Sequence, residues 1–337
     1  MGGKYGTTKN NRLGKREEGN RKKRTSSQTR ASAQKTFWQR LKKDLITNRE
    51  QYLIFLPVLL YYVLFHYFPM YGSLIAFKDY TPSVGIWESP WVGFKHFQTF
   101  FESYYFLTLL KNTLVLSLTN LILGFPAPIL LAILLNELRS KRFARIVQTI
   151  TYMPHFISLV VICGMILQFT RDNGIITHLL GYFGYPQQTM LNNAGTFVPI
   201  YVLSGIWQEV GWGSIIYLAA LTAIDQELYE AAAIDGANRF QKIFHITLPC
   251  ILPTIVIMFI MRVGKIMSLG AEKVILLYNP AIYETSDIIS SYVYRRGIIG
   301  TDWSFSSAVG LFNSVVNFIL VLSVNALSRK VNETSLW

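Results

Sequence analysis

The polar residues of this chain that could do chemistry are few, and their spacing argues against catalysis. Five histidines, His66, His96, His155, His178 and His245, are scattered over different segments with no metal-ligand spacing among them. Gly14-Lys15 is the nearest approach to a phosphate-cradling loop. No glycine stands five positions before Gly14, and Arg16 follows where Ser or Thr is required. No nucleophile–base signature stands out either. One contiguous segment offers mechanics instead. Glu230-Ala231-Ala232-Ala233-Ile234-Asp235-Gly236 is followed, after nine residues, by Ile246-Thr247-Leu248-Pro249. Asp225 suits a helix start, and acidic residues in the first turns match the positive end of the helix dipole. The Glu-Ala-Ala-Ala core forms helix readily, and its small side chains let another surface come close. Gly236 permits a sharp turn, and Pro249 and Pro253 suit the first turns of a following helix. The segment reads as a short exposed helix held between two rods, a ball for a partner's socket. An ordinary amphipathic connector is the plain alternative.

A second group of polar residues lies inside long apolar runs. Glu209, flanked by Trp207, Gln208 and Trp212, sits near the middle of one run, and Arg262 and Lys265 sit near the end of another. Charges at membrane depth face a watery cavity or a partner. The alternatives are an interhelical hydrogen bond for Glu209 and snorkelling to the outer interface for Arg262 and Lys265. Asn313 and Asn317, four apart, share one helix face and either line a path or bind a neighbouring helix. Tyr278, in the connection that follows Arg262, completes the path candidates. The aromatic stretch Trp87, Trp91, Phe94, Phe97, Phe100 and Phe101 reads as an interfacial belt rather than a sugar platform.

These groups need rigid elements, and the composition supplies them. The 337 residues are 51% hydrophobic, 15% charged and of mean hydropathy +0.30. A soluble domain carries roughly a quarter charged residues. The first 50 residues hold almost half of the Lys and Arg and most of the net charge of +13. Residues 1–35 are too polar to bury a core and read as a disordered basic tail that meets anionic lipid and stays cytoplasmic, not as a nucleic-acid binder. Phe37, Trp38, Leu41 and Leu45 recur at helical spacing, which predicts an amphipathic interfacial helix over 36–48. Six apolar segments of spanning length follow, at about 50–72, 109–135, 147–169, 197–221, 246–267 and 307–327. Arg139, Lys141, Arg142 and Arg145 put the 136–146 loop inside. Alternation then puts loop 222–245 and both termini inside as well. The expectation is an all-α integral membrane protein with six transmembrane helices over 49–330, a coupling loop at 222–249 and a short C-terminal tail, 331–337. Cys163 and Cys250 read as small buried hydrophobes.

The pattern E-A-A-x3-G-x9-I-x-L-P, met at every fixed position by residues 230–249, resembles the cytoplasmic coupling loop of permease subunits in binding-protein-dependent ABC importers. Ala132–Glu137, Thr149–Ser158, Tyr278–Tyr283 and Ser307–Asn317 look like the carbohydrate-importer branch that serves complex, including uronate-containing, oligosaccharides. The likeness covers about residues 50–330. One departure is Ala271, where a Phe is expected before Glu272. The resemblance implies the type I importer permease fold in the cytoplasmic membrane, with Glu230, Ala231, Ala232, Asp235, Gly236, Leu248 and Pro249 coupling to an ATPase. It also implies a second homologous permease, two ATPase subunits that hold ATP and Mg, an extracellular substrate-binding protein, and no cofactor or catalysis in this chain. The rivals are a self-contained ion-coupled carrier or channel and a tethered nucleic-acid regulator; no inverted repeat or charge relay favours the former.

Overall fold

The computed structural model describes residues 44–268 and 270–332, which form two compact units, one up to Tyr71 and one from Gly72 onward. The basic tail 1–35, most of the expected 36–48 helix and residues 333–337 lie outside the described residues. In the first unit, Arg49–Tyr62, a π-helical stretch Val63–Tyr67 and Phe68–Met70 follow one another as α1. The π turn has a local cause. Pro69 has no N–H to give and its ring crowds the carbonyl four residues back, so the turn before it widens. Accordingly Phe68 N–H reaches Val63 O, five residues away.

The second unit is helical almost throughout. Its long helices are α2 (Phe106–Glu137), α5 (Ala194–Thr222), α7 (Arg239–Val263) and the last, α10 (Trp303–Asn332). Between α2 and α5 stand α3 (Lys141–Tyr152) and α4 (Leu159–Phe169). The 147–169 run is therefore not the single span expected from its hydropathy. The helix Lys141–Phe156 and α4 are bent by 100°. Pro154 sits in a tight 3-10 turn, Ile157 and Ser158 turn extended, and the Ser158 hydroxyl caps α4 by accepting from Val161 N–H. Counting apolar residues does not register a cap. α3 carries Lys141, Arg142 and Arg145 beside an apolar stripe of Phe143, Ile146 and Ile150, the pattern of a helix lying on a membrane surface.

α5 is the central post, and close approaches fix its neighbours. A Cβ on Gly211 would fall 2.1 Å from the Thr151 carbonyl, and one on Gly213 would fall 3.1 Å from Pro128. Only glycine lets α3 come this near at Gly211, and at Gly213 a larger residue would push Pro128 of α2 outward. Two apolar clusters pack on this post, one around Phe197 and Ile162 and one around Tyr217 and Ile133, while a third, around Phe100 and Phe305, lies apart from it between α2 and α10. Cys163 is buried as expected, but Cys250 is exposed. Successive residues on a helix point about 100° apart, and Ile251 takes the buried face of α7.

The 268–306 connection is no open loop. It holds α8 (Ala271–Leu277) and α9 (Ile289–Tyr294), with Ile282, Ile288 and Ile289 fully buried. Asn112 on α2 donates to the carbonyls of Glu284 and Asp287, both at 3.0 Å, and Thr113 accepts from Ile289 N–H. Asp287 is paired with Arg295, whose guanidinium lies over the Tyr283 ring at 4.5 Å.

Candidate functional site

Two places in the second unit could do work, and α7 joins them. The first is the 225–249 loop. Its helix, α6 (Gln226–Ile234), starts where Asp225 accepts from Glu227 N–H at 3.0 Å. It ends in a Schellman motif: Ala237 N–H reaches Ala232 O at 2.9 Å and Gly236 N–H reaches Ala233 O at 3.1 Å. That closure requires a left-handed residue, and Gly236 has φ +79°. Nothing lies within 4 Å of a Cβ at Gly236, so conformation rather than crowding selects glycine. Asn238 and Gln241 then form a capping box, and α7 begins. The fifth span thus starts at Arg239 rather than at the prolines. Pro249 lies inside the continuous helix, accommodated by the π turn Ile243–Thr247, as Pro69 is in α1.

No residue of α6 is buried, and Ile234 (87%) and Phe240 (73%) stand in the open. Glu230, Ala231 and Asp235 are exposed, while Ala232 is half-covered. Ala232, Asp235, Gly236, Lys242 and His245 border a shallow hollow between α6 and α7. A further link joins the two helices: the Tyr229 hydroxyl and Thr247 Oγ1 lie 2.9 Å apart, with Thr247 buried. Thr247 occupies a variable place in the motif, so spacing gave no reason to single it out.

The second place is a cleft of about 410 Å³ between α2, α5, the end of α7 and α8. Glu209, Arg262 and Lys265 line it together with Asn120, Tyr201 and Lys273. Glu209 is half-exposed and meets His155 Nδ1 at 3.0 Å, and that imidazole stacks on Trp212 with ring centres 4.5 Å apart. His155 reaches Glu209 because the break at Met153–Phe156 brings it there. Arg262 and Lys265 are both exposed and both border the cleft. Neither they nor Lys273 lie within ion-pairing distance of a carboxylate among the described residues.

The other candidates are elsewhere. Trp207 is exposed and does not line the cleft, since it points well away from Glu209 around α5. Asn313 and Asn317 are buried clamps. Asn313 donates to Met267 O at 2.9 Å; Asn317 accepts from Met267 N–H at 3.0 Å and donates to Ser268 Oγ at 2.8 Å. Tyr278 packs against Tyr283, outside the cleft. Two signals in the sequence would have found the missed walls. Thr113, Ser117, Asn120 and Gly124, spaced by four, three and four, make a polar stripe down α2. Lys273 shares the buried face of α8 with Val274 and Leu277.

Residues 124–333 match the family described as binding-protein-dependent transport system inner membrane component. The chain is 45% identical to protein LplB of Bacillus subtilis (strain 168) over 85% of this chain and 90% of LplB. It is 46% identical to the polygalacturonan/rhamnogalacturonan transport system permease protein YteP of the same strain, over 88% of this chain and 93% of YteP. A solved chain of a bacterial ABC transporter involved in import of the acidic polysaccharide alginate superposes with a TM-score of 0.81 at 44% identity, covering 87% of this chain and 99% of that one. A second alginate transporter structure, with a pentasaccharide-bound periplasmic protein, matches at the same TM-score and 43% identity, over 88% of this chain and 100% of that one.

Proposed function

This chain belongs to the binding-protein-dependent transport system inner membrane component family, the non-enzymatic permease subunits of ATP-driven importers and not self-contained carriers, and from that premise we propose that it forms part of an import path for acidic oligosaccharides. The observation that carries the cargo is the charge of the cleft. Arg262, Lys265 and Lys273 line it against one carboxylate, Glu209, which is already engaged by His155. Unpaired charges at membrane depth are costly and are kept where an ion passes. The relatives are consistent with this, since one solved transporter imports the acidic polysaccharide alginate and YteP is a polygalacturonan/rhamnogalacturonan permease.

In this reading the 222–249 loop and both termini face the cytoplasm, as the basic 136–146 loop argues. Glu230, Ala231, Ala232, Asp235, Gly236, Leu248 and Pro249 form the socket contact for an ATPase subunit, one of two that hold ATP and Mg. A second, homologous permease encloses the path, and an extracellular binding protein delivers the sugar. The stroke travels along α7: displacement of α6 passes through Tyr229 and Thr247 into the helix whose far end carries Arg262 and Lys265.

The test is uptake by the whole importer, co-expressed with its permease, ATPase and binding-protein partners. Oligogalacturonide and alginate trimers are compared with their neutral methyl esters. Uptake of at least one acid should exceed that of its ester by about tenfold or more. Equal uptake of acid and ester would overturn the acidic cargo.

A further inference from the structure

Two charged side chains in the second unit, Asp287 and Lys273, are more than nine-tenths buried among the described residues. Asp287 has Arg295. Lys273, 6% exposed, has no carboxylate. Its Nζ donates to the Tyr201 carbonyl at 3.0 Å and lies 4.9 Å from the centre of the Tyr201 ring, and no other hydrogen-bond acceptor reaches it among the described residues. An ammonium has three donors. One is used, and the side chain borders the cleft.

The surroundings make room for this charge. A Cβ on Gly205 would lie 3.3 Å from Nζ, so glycine at that place on α5 leaves a notch the ammonium occupies. Gly270, with φ +36°, lets the chain enter α8 directly beside Tyr201, where a Cβ would fall 2.0 Å from the Tyr201 hydroxyl. An apolar side chain would fill the buried face beside Val274 and Leu277 without the desolvation cost of an unpaired cation. Packing therefore does not account for a lysine here, whereas a visiting anion does.

We propose that Lys273 is a specificity-determining residue that receives a sugar carboxylate on the wall of the cleft, seated there by the Gly205 notch. The proposal rests on the acidic-cargo reading and adds the subsite. Buried within its notch, Lys273 would discriminate between an acid and its ester more strongly than a solvated lysine, because burial strengthens a charge pair. Arg262 and Lys265, at the end of α7, would then meet other parts of the same anionic chain.

The test uses the complete importer in proteoliposomes, with trigalacturonate and its methyl ester as probes and with the alginate trimer pair in parallel. Lys273→Met should lower uptake of the transported acid by about tenfold or more. ATPase stimulation by the loaded binding protein should stay within about twofold of wild type, because the subsite acts after delivery. Lys273→Arg should keep most acid uptake. Unchanged acid uptake in Lys273→Met overturns the proposal. So does a parallel loss of acid uptake, ester uptake and ATPase stimulation in a variant present at normal levels, which would mark a structural brace. Should Lys273→Met fail to accumulate, Gly205→Val keeps the charge and displaces it. A drop of about threefold or more in the acid-to-ester ratio supports the subsite, and an unchanged ratio overturns it. A wild-type importer that takes acid and ester equally would sink the cargo reading and not this residue alone.

Discussion

At its Arg239 end, α7 is tied to Tyr229, eighteen positions from its partner Thr247. Past its Val263 end, the turn Ile266–Ser268 is held by Asn313, Asn317 and Ser117, which lie 46 to 149 positions away. The near end is made by chain neighbours and stands in the open. Its turns are closed locally, through the Gly236 motif and the Asn238–Gln241 box, while Tyr229, Ile243, Ile246 and Leu248 pack on the cluster around Tyr217 and Ile133. The far anchor, at Ile266 and Met267, is buried and is fastened through backbone groups that have no water to turn to. A helix held in this way suits transmission. Its exposed end can be displaced as a unit, while its buried end stays in register with α2 and α10 and carries Arg262 and Lys265 with it.

Substitution at Gly236 breaks the near end alone and should have the largest effect. Valine there must adopt φ near +79°, which for a β-branched residue is a true outlier. The strain, about 1–2 kcal/mol or more, opens the Schellman closure and lets α6 shift against α7. Gly236→Val should insert and assemble normally and lose about tenfold or more of both uptake and sugar-stimulated ATP hydrolysis. Both are read in proteoliposomes. Normal uptake would mean that the loop's shape does not carry the stroke.

The far end is tested by Asn317→Leu. Leucine fills the space but leaves Met267 N–H buried without its acceptor and Ser268 without its donor. Such orphaned groups cost about 1–3 kcal/mol. The Met267 amide should exchange its hydrogen about thirtyfold faster at a cost of 2 kcal/mol, read by mass spectrometry of the purified complex. Exchange in residues 226–236 should not change, because no contact of α6 passes through Asn317. Faster exchange at both ends would dissolve the contrast and mean that the loop's own closure depends on the far anchor.

The same contrast explains what could be read from the sequence. Asp225 and Gly236 were legible because each is satisfied within a few residues, by a cap on Glu227 N–H and by a left-handed turn, whereas Pro249 read as a helix start because the π turn that carries the helix through it from Arg239 leaves no mark in the sequence pattern. Asn313 and Asn317 were legible as one face of a helix, but what that face meets is Met267, and only the fold supplies it. Lys273 was hidden in a connection whose mixed charges said nothing about sidedness. Its burial depends on Gly205, nearly seventy residues earlier. The 147–169 run failed for another reason. Hydropathy measures how apolar a stretch is, whereas Pro154 and Ser158 decide whether it stays one helix, and the break between them is what brings His155 to Glu209.

The smallest change tests the joint between the two ends. Tyr229→Phe removes one hydroxyl and keeps the ring, so α6 retains its caps, its Gly236 turn and its surface. What goes is the 2.9 Å bond to Thr247, whose own hydroxyl still donates to the Lys242 carbonyl at 3.3 Å. Because Thr247 keeps that partner, the loss is confined to one neutral hydrogen bond, about 1 kcal/mol. If α7 takes its motion through this bond, ATP hydrolysis should stay within about twofold of wild type while the sugar moved per ATP falls by about threefold to fivefold. The ratio matters more than either rate. A variant slowed equally in both would place Tyr229 in the docking surface, and one unchanged in both would mean that packing of α6 on α7 suffices without the hydroxyl. Only a fall in the ratio separates a joint that transmits from one that merely holds.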